Sequence, residues 1–541
     1  MNTTTAGPQR GNFSAPGRAA ARLLRRQTRR GATIVALTAS GMSAVVAAQY
    51  RTTFADNIDS DALRALTDNP AVRTLFGAPL ALDDPGGFTV WRTGTPVLVL
   101  CGVWVLLTAT RLTRGEEDAG HWELLLSGRL RRVDLLARCA GTLWLAAAAI
   151  ALGVGAALIM TGTHPTGAVL HAVSVFGATM FFAGVGLLAA QLMPSRGAAT
   201  GLACAVLLVC LLLRMLADGI AALAWTAWLT PFGLAARSAP FADNRVEPLL
   251  VLLVFAAVPA GCALAAAAAR DLGGAVIALS DTRPARTRLL GSVVGFAVRR
   301  ALAPTTGWAV GIAAYFLLIG ALISTILEFF AKNPRFAELA ATAGFGGLAS
   351  APGFAAALFA LLTIPAGLYT AIRIAALAAD EKARRWTALH ALPLSRYRSA
   401  GTEIAITAGG LAVLLGTAAV AMWAGAVLTG APLGLGDALA GVANVAPVAL
   451  LSLGAAALAL GWYPDAVGAI GAVPVAGGFL LDVMAQSTGA PAWVREISPF
   501  AHLAPVPAAA PNWPATATLT TITAAATAIG LYGYTRRDLR G

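Results

Sequence analysis

The sequence predicts an all-α integral membrane protein, and three observations support this fold class. Hydrophobic residues make up 57% of the 541 residues and charged residues only 12%, and the mean hydropathy is +0.72. Apolar runs of about 20 residues, long enough for a helix to cross the hydrocarbon core of a bilayer, recur along the chain. The alternation of apolar and polar residues that a transmembrane barrel requires is absent, so the spans are predicted to be helices.

Twelve of these apolar runs are predicted to be transmembrane helices. Arginine and lysine concentrate in alternate loops between them, whereas the longest of the other loops, residues 51–92, contains more acidic than basic residues. Because basic loops are retained in the cytoplasm, both termini are expected to be cytoplasmic. The predicted spans are residues 31–49, 93–110, 139–161, 169–192, 198–217, 248–269, 304–327, 353–377, 401–428, 437–461, 466–485 and 515–534.

The chain contains an internal repeat that divides it into two halves of six spans. A charged block at residues 111–138 aligns with a second block at 373–398, with Glu381 on Glu117 and Trp386 on Trp122, both at an offset of 264 (381 minus 117). Farther along, Arg270-Asp271-Leu272 matches Arg537-Asp538-Leu539 at an offset of 267 (537 minus 270). A slowly drifting offset is typical of duplication followed by small loop insertions. Since six spans return the chain to the same side, the halves are predicted to be parallel repeats.

The charged block has the pattern of a short amphipathic helix. Trp122, Leu125 and Leu126 form one apolar stripe, Glu116 and Glu123 lie on its flank, and Gly128 is expected to end it. In the second block Trp386 and Leu389 keep the spacing and Pro393 is the corresponding breaker.

Two interpretations of this helix remain open. It could lie on the bilayer surface with its arginines extended towards the headgroups, or it could dock into the groove of a partner. An anionic cytoplasmic leaflet would repel the acidic residues of both blocks, which favours docking of two copies of one soluble partner.

At these residues the sequence resembles a known family. Arg114, Glu116, Glu117, Gly120, Glu123 and the basic Arg131-Arg132 follow the pattern of the coupling helix in ABC-2 type exporter permeases. The twelve-span length, Asn69-Pro70, Gly87-Phe88, Pro231-Phe232 and the Arg-Asp-Leu motifs are similar to those of actinobacterial tetronasin-type multidrug efflux permeases. The second block departs from the pattern, with Arg384, Arg385 and Thr387 in place of Gly120, His121 and Glu123, so unequal coupling by the two halves is expected.

The resemblance implies a domain organisation for the whole chain. It implies two six-helix ABC-2 type repeats, residues 18–283 and 284–541, each with an elbow helix (18–30 and 284–300) and a coupling helix (111–138 and 373–398). Residues 1–17 are polar and lack periodicity, which predicts a disordered N-terminal arm.

The resemblance also implies the partners and the substrate. Two copies of a P-loop ATP-binding subunit would contact the coupling helices, and the permease would export hydrophobic or amphipathic compounds such as antibiotics across the plasma membrane of a bacterium. The residues expected to couple to the ATPase are Glu116, Glu117, Gly120, Trp122, Glu123, Leu125 and Arg132, with Glu381, Trp386, Leu389 and Arg396 in the second half.

The sequence lacks the motif for binding ATP and the residue patterns of a cofactor, metal or catalytic site. No GxxxxGK(S/T) pattern occurs, so ATP and Mg²⁺ are expected in the partner, with no cofactor, metal site or catalytic residue in this chain. Its net charge of +13 arises from arginines beside membrane spans, which predicts contact with lipid headgroups and no nucleic-acid partner. The alternative function is a proton-coupled secondary drug antiporter, which requires ionisable groups deep in the membrane. The spans offer Glu403, Glu328, Asp465 and His171, each near a span end, where an interfacial role is favoured over a proton relay.

One pair of charges within the spans is predicted to act in transport. Arg214 and Asp482 occupy equivalent positions in the fifth and eleventh spans, at an offset of 268 (482 minus 214). Both lie about one turn from the outer end of the span. Opposite charges at symmetry-related positions could form an outer latch that closes the transport path, and the alternative is that each extends separately to the outer headgroups.

Overall fold

The fold is described from a computed structural model. It covers residues 15–50, 73–74, 77–271, 274–277, 287, 289–332, 350–386, 393–488 and 490–537. Within these ranges the secondary structure is entirely helical, with no β-strand. The all-α prediction is therefore confirmed for the described part of the chain.

The chain divides into two compact units, Met1–Arg283 and Pro284–Gly541. The long helices of the first unit are Ala15–Gln49, Pro85–Thr110, Arg132–Met160, Pro165–Leu192, Arg196–Gly219 and Glu247–Ala269. Those of the second unit are Val293–Lys332, Ala351–Lys382, Arg396–Leu428, Leu435–Trp462 and Trp513–Arg536, together with Val467–Ala472 and Gly478–Thr488, which flank a π-helical turn at Val473–Gly477. Short helices connect several of them: Glu116–Asp118, His121–Leu126, Ala221–Leu229, Pro231–Arg237, Ala492–Glu496 and Pro499–His502.

Each unit is built around one central helix. Pro165–Leu192 buries 78% of its most apolar stretch and Leu435–Trp462 buries 67%, the largest fractions in their units. Small residues allow neighbouring helices to approach these centres closely. A Cβ added to Gly186 would lie 2.8 Å from the Cβ of Ala109, and one added to Gly461 would collide with the carbonyl of Gly530.

The repeated Gly-Phe motif marks the start of a helix in both units. Asp84 caps Pro85–Thr110 by accepting hydrogen bonds from the amides of Gly86 (2.7 Å) and Gly87 (3.0 Å). Ser350 caps Ala351–Lys382 by accepting from the amide of Gly353 at 3.2 Å. Such caps satisfy amides that have no partner within the helix. The motif is therefore explained by helix initiation.

Eleven helices among the described residues are long and apolar enough to cross a membrane. They correspond to the first eleven predicted spans. The twelfth predicted span, residues 515–534, lies in the helix Trp513–Arg536, which is long enough but is less apolar because it contains seven threonines. The chain is thus a multi-pass membrane protein.

Within the described residues, which omit 284–286 and 288 of the second one, the predicted elbow helices are not separate elements. Residues 18–30 belong to the helix Ala15–Gln49, which continues into the first span without a break, and Val293–Lys332 likewise runs through Arg300 into the seventh. Alanine and arginine are good helix formers, so nothing in residues 18–30 ends the helix before the apolar run. Residues 15–17 of the predicted disordered arm are helical, and residues 1–14 lie outside the described residues.

Candidate functional site

The first charged block consists of two short helices, and the single amphipathic helix predicted from the apolar stripe is wrong in this respect. A π-helical turn at Arg111–Gly115 leads into Glu116–Asp118, and His121–Leu126 follows after a turn. Gly120 lies in that turn with a φ of 75°. Glycine adopts this left-handed conformation without the steric cost that other residues incur, and it redirects the chain between the two helices.

Trp122 holds the second short helix against the end of the span. Its side chain is only 1% exposed, and its indole Nε1–H donates to the carbonyl oxygen of Leu112 at 3.2 Å. A carbonyl within a π-helical turn has lost its usual α-helical partner, so the indole satisfies a backbone group as well as filling space. Trp122 is therefore an internal anchor.

Glu117 lies at the centre of a buried ion network. Arg270 binds both of its carboxylate oxygens, at 2.9 Å and 2.6 Å, and donates through Nε to the Gln191 side chain at 2.8 Å. Arg114 adds a third contact, 3.2 Å from Glu117 Oε2. Glu117 and Arg270 side chains are each 4% exposed. A bidentate carboxylate–guanidinium pair with further hydrogen bonds is the geometry in which a buried charge is best stabilised.

The second unit repeats this arrangement with its own residues. Arg537 pairs with Glu381, and Arg396 donates to the carbonyl of Arg537 at 2.8 Å, as Arg132 donates to the carbonyl of Arg270. Trp386 is again buried, with the Arg300 guanidinium 5.0 Å from its ring centroid. Two motifs far apart in sequence thus meet in space within each unit.

A different set of residues in the first block faces outward. Glu123 is exposed and Leu124 is 76% exposed, whereas Leu125 is half-buried. Glu116 lies 2.7 Å from His121 Nδ1, and Asp118 accepts from the amide of Arg196 at 2.9 Å. The buried residues hold the segment in place, and the acid and the leucine face away from it.

The residues predicted to couple to the ATPase therefore fall into two groups. Glu117, Trp122, Arg132, Glu381, Trp386 and Arg396 lie within the internal networks. Glu116 and Leu125 are half-buried, Gly120 forms the turn, and Glu123 is exposed. Leu389 lies outside the described residues. Their role in coupling stays a prediction.

Each residue of the predicted outer latch has a partner in its own unit. Arg214 is buried and its Nε lies 2.7 Å from Asp218 Oδ2, one turn along the same helix. Asp482 receives a hydrogen bond from Arg495 Nε at 3.1 Å. The latch stays a prediction. To form it, Arg214 would have to leave Asp218 and Asp482 would have to leave Arg495.

Sequence reasoning missed a buried ion cluster in the second unit. Glu403 is buried in the helix Arg396–Leu428, with Arg300 Nη1 2.7 Å from one carboxylate oxygen and Arg373 Nη2 3.2 Å from the other. Offsetting Arg373 and Glu403 by the repeat distance of 264 gives Ala109 and Cys139, so the first unit lacks both charges. That charge difference between the halves is the signal that could have revealed the cluster.

The described residues contain no group of three or more His, Cys, Asp or Glu side chains placed to bind a metal ion. The five cysteines are free, and four of them are buried or half-buried in the spans. The candidate site is therefore the charged block itself, whose buried side is held by ion pairs and whose outer side exposes Glu123 and Leu124.

Comparison with known proteins places the chain in a family. The family described as "Multidrug efflux system permease Rv1217c, C-terminal domain" matches residues 46–267 and 290–535, one stretch in each unit. The chain is also 28% identical over 509 residues to the multidrug efflux system permease protein Rv1217c of Mycobacterium tuberculosis (strain ATCC 25618 / H37Rv), an alignment that covers 92% of this chain and 90% of that protein. This multi-pass membrane protein therefore belongs to the family of the multidrug efflux system permease Rv1217c.

Proposed function

We propose that the chain is the transmembrane permease subunit of an ATP-driven ABC exporter that extrudes hydrophobic or amphipathic compounds, antibiotics among them. The printed name of its relative, a multidrug efflux permease, supports efflux of drugs. The proposed architecture has twelve spans in two parallel repeats of the ABC-2 type, as in the tetronasin-type permeases, with both termini in the cytoplasm of a bacterium. ATP and Mg²⁺ would be bound by two copies of a separate P-loop subunit.

One observation supports coupling to such a subunit most directly. The helix His121–Leu126 is held by the buried Trp122 and Glu117, yet it presents Glu123 and Leu124 to the exterior. An exposed leucine beside an acid on an internally fixed helix is suited to a groove lined by apolar and basic side chains. Movement of a docked subunit would be transmitted to the spans because the Glu117–Arg270 pair joins this segment to the end of the helix Glu247–Ala269.

The experiment is reconstitution with the P-loop protein. We expect the two proteins to co-purify and to show vanadate-sensitive ATPase activity that is stimulated by hydrophobic drugs. Glu123→Lys and Leu124→Asp should abolish the stimulation without loss of folded permease. Asp243→Lys, at a side chain that is 58% exposed on a loop outside the charged block, is the matched control and should leave it unchanged. Undiminished stimulation in both block variants would contradict docking at this helix.

The alternative is a proton-coupled antiporter, and one observation favours it. Glu403 is an ionisable group buried within a span, as proton carriers are. However, both of its oxygens are bound by arginines, and such charge-assisted bonds favour the ionised carboxylate and oppose its protonation. Drug transport by the chain alone in liposomes with an imposed pH gradient and no ATP would establish the antiporter in place of the ATP-driven exporter.

A further inference from the structure

An open cavity of about 490 Å³ lies in the first unit between the helices Ala15–Gln49, Arg132–Met160 and Pro165–Leu192. Its volume falls within the range of roughly 300 to 1,000 Å³ that is usual for ligand sites. Its lining includes the basic Arg25 and Arg138 and the apolar or aromatic Trp144, Leu145, Ala148 and Phe176. The cavity thus combines two cations with an apolar wall.

The lining residues change character with depth along one helix. Trp144 follows Arg138 by six positions (144 minus 138), which corresponds to about 9 Å along a helix, and Ala148 lies about 6 Å farther. The two arginines are exposed and have no carboxylate partner among the described ion pairs. The order along the helix is therefore cation, indole, apolar wall.

The indole of Trp144 adds a hydrogen-bond donor to the apolar part of the lining. Its Nε1–H is buried and has no hydrogen-bond partner within the described structure. A buried N–H without an acceptor is costly, so a ligand that brings an acceptor to this depth would be stabilised. The guanidinium of Arg138 lies against Gly17 of the first helix, where any Cβ would collide with it.

We propose that this cavity binds one anionic phospholipid of the leaflet that faces the arginine-rich end of the first helix. The phosphate would bind Arg25 and Arg138, an ester carbonyl would accept from Trp144 Nε1, and an acyl chain would cover Leu145, Ala148 and Phe176. Guanidinium groups bind phosphate oxygens with charge-assisted hydrogen bonds, and basic pockets between spans are suited to lipid headgroups. A diacyl phospholipid presents phosphate, ester and chain in the same order as the lining residues.

The site belongs to the first unit. At the repeat offset of 264, which relates Arg132 to Arg396 in the same helices, Arg138 and Trp144 correspond to Thr402 and Ala408. The second unit therefore lacks both the cation and the indole, and one such lipid per chain is expected.

The test is lipid retention by the full-length protein in mild detergent, measured by native mass spectrometry with added phosphatidylglycerol or phosphatidylcholine. The wild type should retain one phosphatidylglycerol, and Arg25→Gln/Arg138→Gln should weaken retention about tenfold, because charge-assisted bonds to the phosphate are lost. Arg22→Gln/Arg26→Gln removes two exposed charges from the same first helix outside this cavity and should retain the lipid like the wild type. Equal loss in the two double variants would overturn the proposal.

A second arm tests the ester contact in a variant that keeps the aromatic ring. Trp144→Phe should weaken retention of the diester lipid but not of the matched diether lipid, which lacks the carbonyl acceptors. Displacement of the lipid by millimolar glycerol phosphate would instead indicate a site for free anions. Unchanged lipid retention together with lost binding of an anionic drug in Arg25→Gln/Arg138→Gln would assign the cavity to substrate. Either result would overturn the proposal, and neither depends on ATPase activity.

Discussion

At the scale of single residues, burial separates two acids that the sequence pattern places in one motif. Glu117 is fixed by two arginines at 4% side-chain exposure, whereas Glu123 is exposed. The same chemical group thus stabilises the segment in one case and is exposed to the exterior in the other. Sequence spacing alone could not distinguish them, because the partner of Glu117 is Arg270, 153 residues away.

Glu117→Lys should destabilise the permease itself. The new cation would lie between Arg114 and Arg270, and breaking a buried ion pair costs about 3 to 5 kcal/mol. Glu123→Lys, an exposed acid of the same block, should change stability by no more than about 0.5 kcal/mol. Thermal unfolding of the two purified variants in detergent measures this difference, and equal unfolding temperatures would contradict the network.

Glu381→Lys should be milder than Glu117→Lys. Glu381 has one arginine partner in its described ion pair and is 11% exposed, so its neighbours can be hydrated more readily. The same unfolding assay should rank the variants in the order wild type, Glu381→Lys, Glu117→Lys. If Glu381→Lys unfolds at the lower temperature, the pair of Glu381 with Arg537 contributes more stability than the network around Glu117, contrary to this prediction.

Glu403→Gln should destabilise the second unit in the same way. It leaves Arg373, a cation with 6% side-chain exposure, without its carboxylate partner. Glu328→Gln is the control, because Glu328 is 70% exposed and its single described ion pair, with Lys332, is long at 3.9 Å and therefore weak. If both variants unfold like the wild type, the cluster around Glu403 does not contribute to stability.

At the scale of elements, the orientation of the helix His121–Leu126 depends on the turn at Gly120. A Cβ there would meet no other atom within 4 Å, so the strain of Gly120→Ala comes from its positive φ alone, about 1 to 2 kcal/mol. We expect reduced ATPase stimulation in the reconstituted complex. Gly128→Ala, in the same block with open space and without a positive φ, should retain it. Loss in both variants would show that the turn geometry is not the cause.

The helices themselves were predictable from the sequence, but their ends and connections were less so. Apolar runs of membrane length predict spans because the bilayer leaves the backbone few alternatives. The runs did not reveal that residues 18–30 and the first span form one helix, since composition changes at Gly31 while helical hydrogen bonding continues. Nor could periodicity reveal the break at Gly120, where a single backbone angle decides the path.

At the scale of the whole molecule, the repeat in the sequence identified residues that meet within each unit. In the sequence the Arg-Asp-Leu motifs are matching residues without an assigned role, and the structure shows that Arg270 and Arg537 bind the glutamates of the charged blocks. The ion cluster around Glu403 was not predicted because it depends on three helices that are adjacent only in the fold. Local patterns therefore predicted the elements, and the contacts between elements required the structure.

The number of spans determines the side of the membrane on which Arg537 lies. The helix Trp513–Arg536 has 24 residues and is therefore about 36 Å long. At one end, Arg537 pairs with Glu381 and its carbonyl accepts from Arg396, so this end lies at the second charged block. Its other end at Trp513 must then lie about a membrane thickness away, despite the threonines. We expect it to be a twelfth span.

Reporter fusions in cells measure this directly. Green fluorescent protein fused after Gly541 should fluoresce, because it folds in the cytoplasm, and alkaline phosphatase fused after Pro511, before the helix begins, should be active outside. The threonine hydroxyls do not prevent insertion, because Thr518, Thr520, Thr521 and Thr523 each donate to the carbonyl four residues earlier in the helix. Active phosphatase after Gly541 would show eleven spans. It would also contradict the pair between Arg537 and Glu381, because the second charged block follows the eighth span and would then lie on the opposite side of the membrane from Arg537.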